Sequence, residues 1–148
     1  MRLTDNFDLS EFVVSQEAAR RGIDNTPPGE ALENLYLLAM ALEEIRARLG
    51  KPIVISSGYR SPALNAAVGG APNSAHVLGY AADLTCPGFG APLSVCKAIA
   101  TLPGFRYDQV IAEFVTANGG WCHLSIDPRG RMQTLTINRN GTRKGLQP

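Results

Sequence analysis

The sequence predicts an α+β domain, with N-terminal helices packed on a small, mainly antiparallel sheet. Three observations carry this. Apolar residues in the first fifty positions recur every three or four residues, the period of a helix face. Beyond residue 50 the apolar runs are short, alternate with polar residues and are bounded by Gly, Pro and Asn, as strands are. Beyond a short turn of helix near Pro62, one further helical pattern, Pro92 to Leu102, interrupts those strands, too few for an alternating βαβ chain.

The elements follow in order. Asp8-Leu-Ser-Glu11 has the spacing of a reciprocal capping box and predicts a helix from Leu9 to Arg21, ended by Gly22. Glu30 to Leu49 is the clearest helix, with Leu32, Leu35, Leu38, Ala39, Leu42, Ile45 and Leu49 as its apolar stripe. Its acids lie early and Arg46 and Arg48 late, which complements the helix dipole. Pro52 to Ser56 reads as a buried strand, and Ser61 to Val68 as a short helix with Pro62 in its first turn. Tyr80 to Thr85, Gln109 to Phe114, Trp121 to Ile126 and Met132 to Ile137 read as strands. Asn118-Gly119 signals a hairpin between the second and third of these. The polar tail from Asn138 is expected to be mobile.

At 148 residues the chain has the length of one domain, read here as 1–148, able to bury a core without disulfides. Its 45% hydrophobic and 18% charged content suits a globular protein. A net charge of +1 argues against nucleic acid as a partner. The charge is uneven. Residues 1–50 hold nine acids and five bases, and the remainder four acids and nine bases. The basic part favours an anionic substrate or a polyanionic surface such as a cell wall, or is plain solvated charge. Cys86, Cys96 and Cys122 show no metal-knuckle spacing and read as buried free thiols. The N-terminal residues contain no apolar signal segment, and no stretch is long enough to cross a bilayer. The expectation is a cytoplasmic protein as synthesised, without membrane insertion.

The chain has only two histidines, and both sit where a metal would suit them. His76 lies in Ser74-Ala-His76-Val-Leu-Gly79-Tyr-Ala81-Ala-Asp83, read as loop and strand. His123 lies in Trp121-Cys-His123-Leu-Ser125, on a strand. Two imidazoles and one carboxylate are enough protein ligands for a catalytic zinc. Small Ala81 and Ala82 leave room beside Asp83. Trp121, His123 and Ser125 share one strand face by alternation. Trp121 either walls a substrate cleft or closes the core. A hydrolase of this kind also needs a general base. Glu113 is the best placed, since a carboxylate within the apolar run Val110 to Phe114 needs a partner. It faces His123 directly if the hairpin connection is odd in length, whereas a two-residue Asn118-Gly119 turn would bring Phe114 there. Arg60, in the turn Ser56 to Pro62, offers a planar fork for a substrate carboxylate.

Together these motifs resemble the zinc D-alanyl-D-alanine carboxypeptidase family, the lysostaphin, D-Ala-D-Ala peptidase and Hedgehog-like metallopeptidases. The resemblance rests on Ser57-Gly-Tyr-Arg-Ser-Pro62 with Asn65, on Ser74-x-His76-x-x-Gly79-x-Ala81-x-Asp83, and on Trp121-x-His123. It runs from about residue 5 to 137. The front segment, Phe7 to Phe12 and Gly22 to Asn25, is similar to compact phage and prophage members.

The resemblance implies a Hedgehog/D-Ala-D-Ala peptidase-like fold and one Zn2+ held by His76, Asp83 and His123. It assigns substrate binding to Arg60 and Ser74. The implied substrate is the peptidoglycan stem peptide, cut by a D,D-carboxypeptidase or an L-alanyl-D-glutamate endopeptidase. A phage lysin of this kind would be released to the wall through a separate pore. A monomer is expected. Several relatives carry a catalytic Glu three residues before the last histidine, where this chain has Gly120. That departure leaves Glu113 to serve from the neighbouring strand. It also leaves open a non-catalytic, zinc-stabilised wall-binding domain. A cytoplasmic D-Ala-D-Ala dipeptidase is a further alternative.

Overall fold

A computed structural model describes residues 1–148. An N-terminal ribbon of β1 (Arg2–Thr4) and β2 (Phe7–Asp8) leads into α1 (Leu9–Val13), α2 (Gln16–Arg21) and α3 (Gly29–Leu49). Then come β3 (Val54–Ser57), α4 (Pro62–Ala67), α5 (Ala75–Leu78), β4 (Ala81–Thr85) and α6 (Pro92–Ala100). The chain continues through β5 (Gln109–Glu113), β6 (Trp121–Ser125), β7 (Gln133–Asn138) and β8 (Gly141–Lys144). The second sheet runs β3-β4-β6-β5-β7-β8. Every neighbouring pair in it is antiparallel except β5 with β7, which run parallel. This is the expected α+β class.

Strand alternation divides the sheet into two faces. Ala82, Leu84, Val110, Ala112, Cys122 and Leu124 are buried and join one core with Val95, Cys96 and Ile99 of α6 and with Leu35, Leu38, Leu42 and Ile45 of α3. The other face presents Asp83, His123, Ile111 and Glu113. The apolar stripe of α3 thus anchors the sheet from behind and leaves the front free for chemistry. All three cysteines are buried free thiols. No helix is long and apolar enough to cross a membrane.

Five expectations need correction. The strand after Pro52 is not buried, because β3 forms the edge of the sheet and leaves Val54 exposed. The helix from Leu9 to Arg21 is broken at Val14–Ser15. Asp8 and Glu11 do form the capping box, but Ser15 caps a second helix by accepting from the Ala18 amide. His76 lies on a one-turn helix, α5, because the Ser74 hydroxyl accepts from its amide and starts a turn. The polar tail from Asn138 is not loose, since Gly141–Lys144 pairs with β7 as the edge strand. Finally, the β5–β6 connection is longer than a tight Asn-Gly turn. Phe114 leaves the strand with φ of 52°, and Glu113 pairs with Trp121 while Ile111 pairs with His123. Neither of the two registers considered from sequence occurs.

Two glycines fix how the helices meet the site. A Cβ on Gly58 would lie 2.6 Å from the Phe12 carbonyl oxygen, so α1 sits directly on the turn leaving β3. Gly79 ends α5 with φ of +83°, and a Cβ there would lie 2.5 Å from the Ala31 carbonyl of α3. Asn34 of α3 donates to the Leu78 carbonyl at 2.8 Å, which docks α5 from the same side.

Candidate metal centre

Three elements converge on one point. β4 brings Asp83, β6 beside it brings His123 as its direct cross-strand partner, and α5 brings His76 over the sheet. All three side chains are buried, and one ligand atom from each lies within 4.8 Å of the others. Asp83 Oδ1 is 3.3 Å from His76 Nε2 and 3.1 Å from His123 Nδ1. Donors on a tetrahedral zinc with bonds of about 2.0–2.1 Å stand roughly 3.3 Å apart, so these distances fit that ion.

The hydrogen bonding fits it as well. His76 Nδ1 lies 2.7 Å from the Gly58 carbonyl, which can only accept, so Nδ1 carries the proton. In a neutral imidazole Nε2 is then a bare lone pair opposite the Asp83 carboxylate. A proton or a cation must fill that gap, and convergence of three donors favours the cation. A metal-bound histidine whose other nitrogen donates to a backbone carbonyl is a common supporting arrangement. Burial pushes the Asp83 carboxyl up, but the His123 and His76 rings outweigh it and hold it well below the usual carboxylate range. Asp83 is therefore the anionic member of the set.

Glu113 reaches the trio diagonally. Standing opposite Trp121, it shares a sheet face with His123, and its Oε1 lies 3.6 Å from His123 Nδ1. Burial raises its pKa; the His123 ring opposes this, Asp83 adds to it and Arg60 opposes it. Trp121 stacks on Phe114 with ring centroids 5.6 Å apart, and its indole Nε1 is buried without an acceptor.

Arg60 is held in place from several sides. Its amide donates to the His76 carbonyl at 3.1 Å, and Nη2 approaches the Ser74 hydroxyl at 3.4 Å. Asn25 ties the turn around it, donating to the Val13 and Tyr59 carbonyls and accepting from the Ser61 amide. Burial lowers the Arg60 pKa against the fields of Asp83 and Glu113. Its Nε is buried and has no partner.

The structure thus gathers Arg60, Ser74, His76, Asp83, Glu113, Trp121 and His123 in one region. Sequence reasoning missed the parts that support them. Nothing in a glycine reveals that its carbonyl orients a histidine, and Asn25 reads as an ordinary turn residue. The Asp108 carboxylate was also missed as a support. It is buried and accepts from Arg131 through Nε at 2.9 Å, Nη2 at 2.8 Å and the backbone amide at 3.0 Å. This clasp pins the loop between β6 and β7. Arg129 and Arg131 of that loop wall a cavity of about 310 Å3 that His123, Ser74 and Ile111 also line.

The peptidase M15 family model matches residues 5–108. The chain belongs to the peptidase M15 family. The matched region includes Arg60, Ser74, His76 and Asp83, and ends before Glu113 and His123. The chain is also 44% identical over 55 residues to the zinc D-Ala-D-Ala carboxypeptidase of Streptomyces albus G. That alignment covers 36% of this chain and 22% of the relative, so it spans only about a fifth of the relative's length.

Proposed function

We propose that this chain is a zinc metallopeptidase that hydrolyses peptide bonds in peptidoglycan stem peptides, as a D,D-carboxypeptidase or an L-Ala–D-Glu-type endopeptidase. The observation that carries this reading is the convergence of His76, Asp83 and His123 with Glu113 at their edge. The family match and the zinc carboxypeptidase relative support the choice of metal and of peptide substrate. The front segment's similarity to compact phage and prophage members supports a lysin acting on the wall as a monomeric domain of Hedgehog/D-Ala-D-Ala peptidase-like architecture.

In this reading His76, Asp83 and His123 would hold one zinc ion through their converging atoms. Such an ion, when bound, acidifies water to a pKa of about 7 and polarises a carbonyl group. Glu113 is the general base. Its carboxylate takes a proton from the attacking water and passes it to the leaving amine. Its place at the edge of the trio, 3.6 Å from the His123 ring, suits this exchange. Arg60 binds a substrate carboxylate through its guanidinium, and Ser74 orients the peptide beside it. Trp121 walls the cleft beside Glu113. Water is the nucleophile, so neither the serines nor the buried cysteines need form a covalent bond to substrate.

The test is digestion of purified peptidoglycan by the zinc-loaded protein, with products identified by mass spectrometry. Loss of terminal D-Ala marks the carboxypeptidase, and new L-Ala and D-Glu termini mark the endopeptidase. Full zinc loading with no product from wall would overturn the wall-hydrolase reading. Cleavage of free D-Ala-D-Ala alone would then identify a dipeptidase, and binding without cleavage a wall-binding domain.

A further inference from the structure

The residues beyond position 50 carry nine bases against four acids, and the reaction above uses one of those bases, Arg60. Two more stand beside the metal trio. Arg129 and Arg131, on the loop between β6 and β7, line a cavity of about 310 Å3 together with His123, Ser74, Gln109 and Ile111. No acidic side chain lines it. The cavity therefore presents two cations, next to a histidine of the metal centre, to whatever enters.

Both arginines are aimed, not neutralised. Arg131 gives Nε and Nη2 to Asp108, at 2.9 and 2.8 Å, and Arg129 gives Nε and Nη2 to Asp127, at 3.3 and 3.0 Å. The two aspartates are buried, while the side chains of Arg129 and Arg131 stay 56% and 39% exposed. Each guanidinium spends one edge on its anchor and keeps Nη1, with two N–H donors, free of any bond within the protein. A guanidinium already fixed by a carboxylate behind it loses little freedom when it binds an anion in front.

Position along the sheet decides which part of a peptide arrives there. On the face that carries the trio, His123 and Ile111 form one cross-strand pair. Trp121 and Glu113 lie two residues along on one side, and Ser125 and Gln109 two residues along on the other. The cavity opens on the Gln109 side and is lined by neither Glu113 nor Trp121. In the reaction above Glu113 returns a proton to the leaving amine, so the amine departs on the Glu113 side. The acyl chain runs from the scissile carbonyl the other way, toward Arg129 and Arg131.

We propose that Arg129 and Arg131 are specificity-determining residues, and that their cavity is a subsite for a carboxylate carried on the acyl side of the bond to be cut. Carboxylate is the anion that peptides carry, and the two free Nη1 groups offer it charge-assisted hydrogen bonds. This contact is separate from the one made by Arg60, which does not line the cavity. It deepens the peptidase reading and rests on it.

The experiment uses two pairs of synthetic peptides, one for each bond of that reading. One pair ends in D-Ala-D-Ala and the other in L-Ala–D-Glu, so the acyl residue is alanine throughout. Within each pair the residue before that alanine is Glu or its neutral isostere Gln. On the pair that zinc-loaded native protein cleaves, the Glu peptide should have a KM about tenfold lower, the worth of a charge-assisted hydrogen bond. That advantage should shrink as salt is added, because the arginines are partly exposed. Arg129→Gln should lower the Glu-to-Gln ratio of kcat/KM severalfold, and Arg129→Lys, which keeps the charge, should retain part of it. A loss of fold or of catalysis lowers both peptides alike and leaves the ratio unchanged, so the ratio isolates the contact. Equal KM for Glu and Gln peptides in the native protein, or an unchanged ratio in Arg129→Gln, overturns the subsite and leaves the peptidase reading standing. No cleavage of any peptide by fully zinc-loaded protein overturns both.

Discussion

Glu113 stands directly across the sheet from Trp121, yet its carboxylate comes within 3.6 Å of the His123 ring two pairs further along. The diagonal works because the two residues share a face of an antiparallel pair, where side chains two positions apart remain in reach. The base of the proposed reaction is thus set by the β5–β6 register, not by its distance along the chain from the last histidine. Glu113→Gln should lower kcat by about 10²–10⁴-fold, the usual worth of a positioned general base. Zinc content and Tm should hold, because the amide keeps the shape of the side chain. Parallel rate, metal and melting measurements check this, and retention of full activity would remove Glu113 from the mechanism.

Removing the metal should loosen the protein. His76→Ala, Asp83→Asn and His123→Ala should each lose stoichiometric zinc by elemental analysis. For the native chain, a ligand present at a thousand times its Kd stabilises the folded state by about 4 kcal/mol. A chelator should therefore lower Tm by several degrees, and added zinc should restore it. An identical Tm with and without chelator would show that the trio does not hold an ion.

The Asp108–Arg131 clasp makes a prediction in acid. Hydrogen bonds from Arg131 hold the Asp108 carboxyl well below the usual carboxylate range, against the effect of burial. An unfolded Asp titrates near pH 3.9. With its folded pKa depressed, Asp108 contributes stability that is fully present above that pH and is lost as pH falls toward the folded pKa. Asp127 acts in the opposite sense, because burial and then the neighbouring Asp108 push its carboxyl up. Asp108→Asn should cost about 2–4 kcal/mol at neutral pH, since it leaves a partly exposed arginine without its anion. It should also flatten the loss of stability below about pH 4. Urea midpoints between pH 3 and 7 measure both effects.

Gly79 connects backbone geometry to the metal. Gly79→Ala must adopt a left-handed φ and meets the Ala31 carbonyl, for a combined cost of about 2–4 kcal/mol. Relief requires α5 to move off α3, and α5 carries His76. Zinc affinity should fall together with Tm, which titration against a competing chelator measures. A fall in Tm with unchanged affinity would show that α5 keeps its place by other contacts.

Much of this arrangement was legible in the sequence, for identifiable reasons. The α3 stripe was clear because seven apolar positions repeat at helical spacing, and strand ends agree within a residue or two. The meeting of His76, Asp83 and His123 was legible because the chain has only two histidines to place. The register of Glu113 was not, because it depends on Phe114 taking a left-handed turn, a conformation that no propensity of phenylalanine suggests. The break at Val14–Ser15 was hidden by an apolar pattern that continues through it. Ser15 competes as a cap, and Asn25 consolidates the break by donating to the Val13 carbonyl. The last strand was missed because β8 is fully exposed and polar, so it lacks the alternation that marks a buried strand.

The sheet order also bears on how an ion would enter and leave. β6 lies in the interior of the sheet, bonded on both sides, and neither it nor β4 can open without breaking ladders along its length. α5 is a single turn of four residues tethered through Gly58, Asn34 and Arg60. Local opening favours such short, lightly bonded segments. In hydrogen exchange the amides of α5 should therefore trade with solvent well before those of β6. His76 would be the detachable jaw of the clamp, with Asp83 and His123 the fixed one.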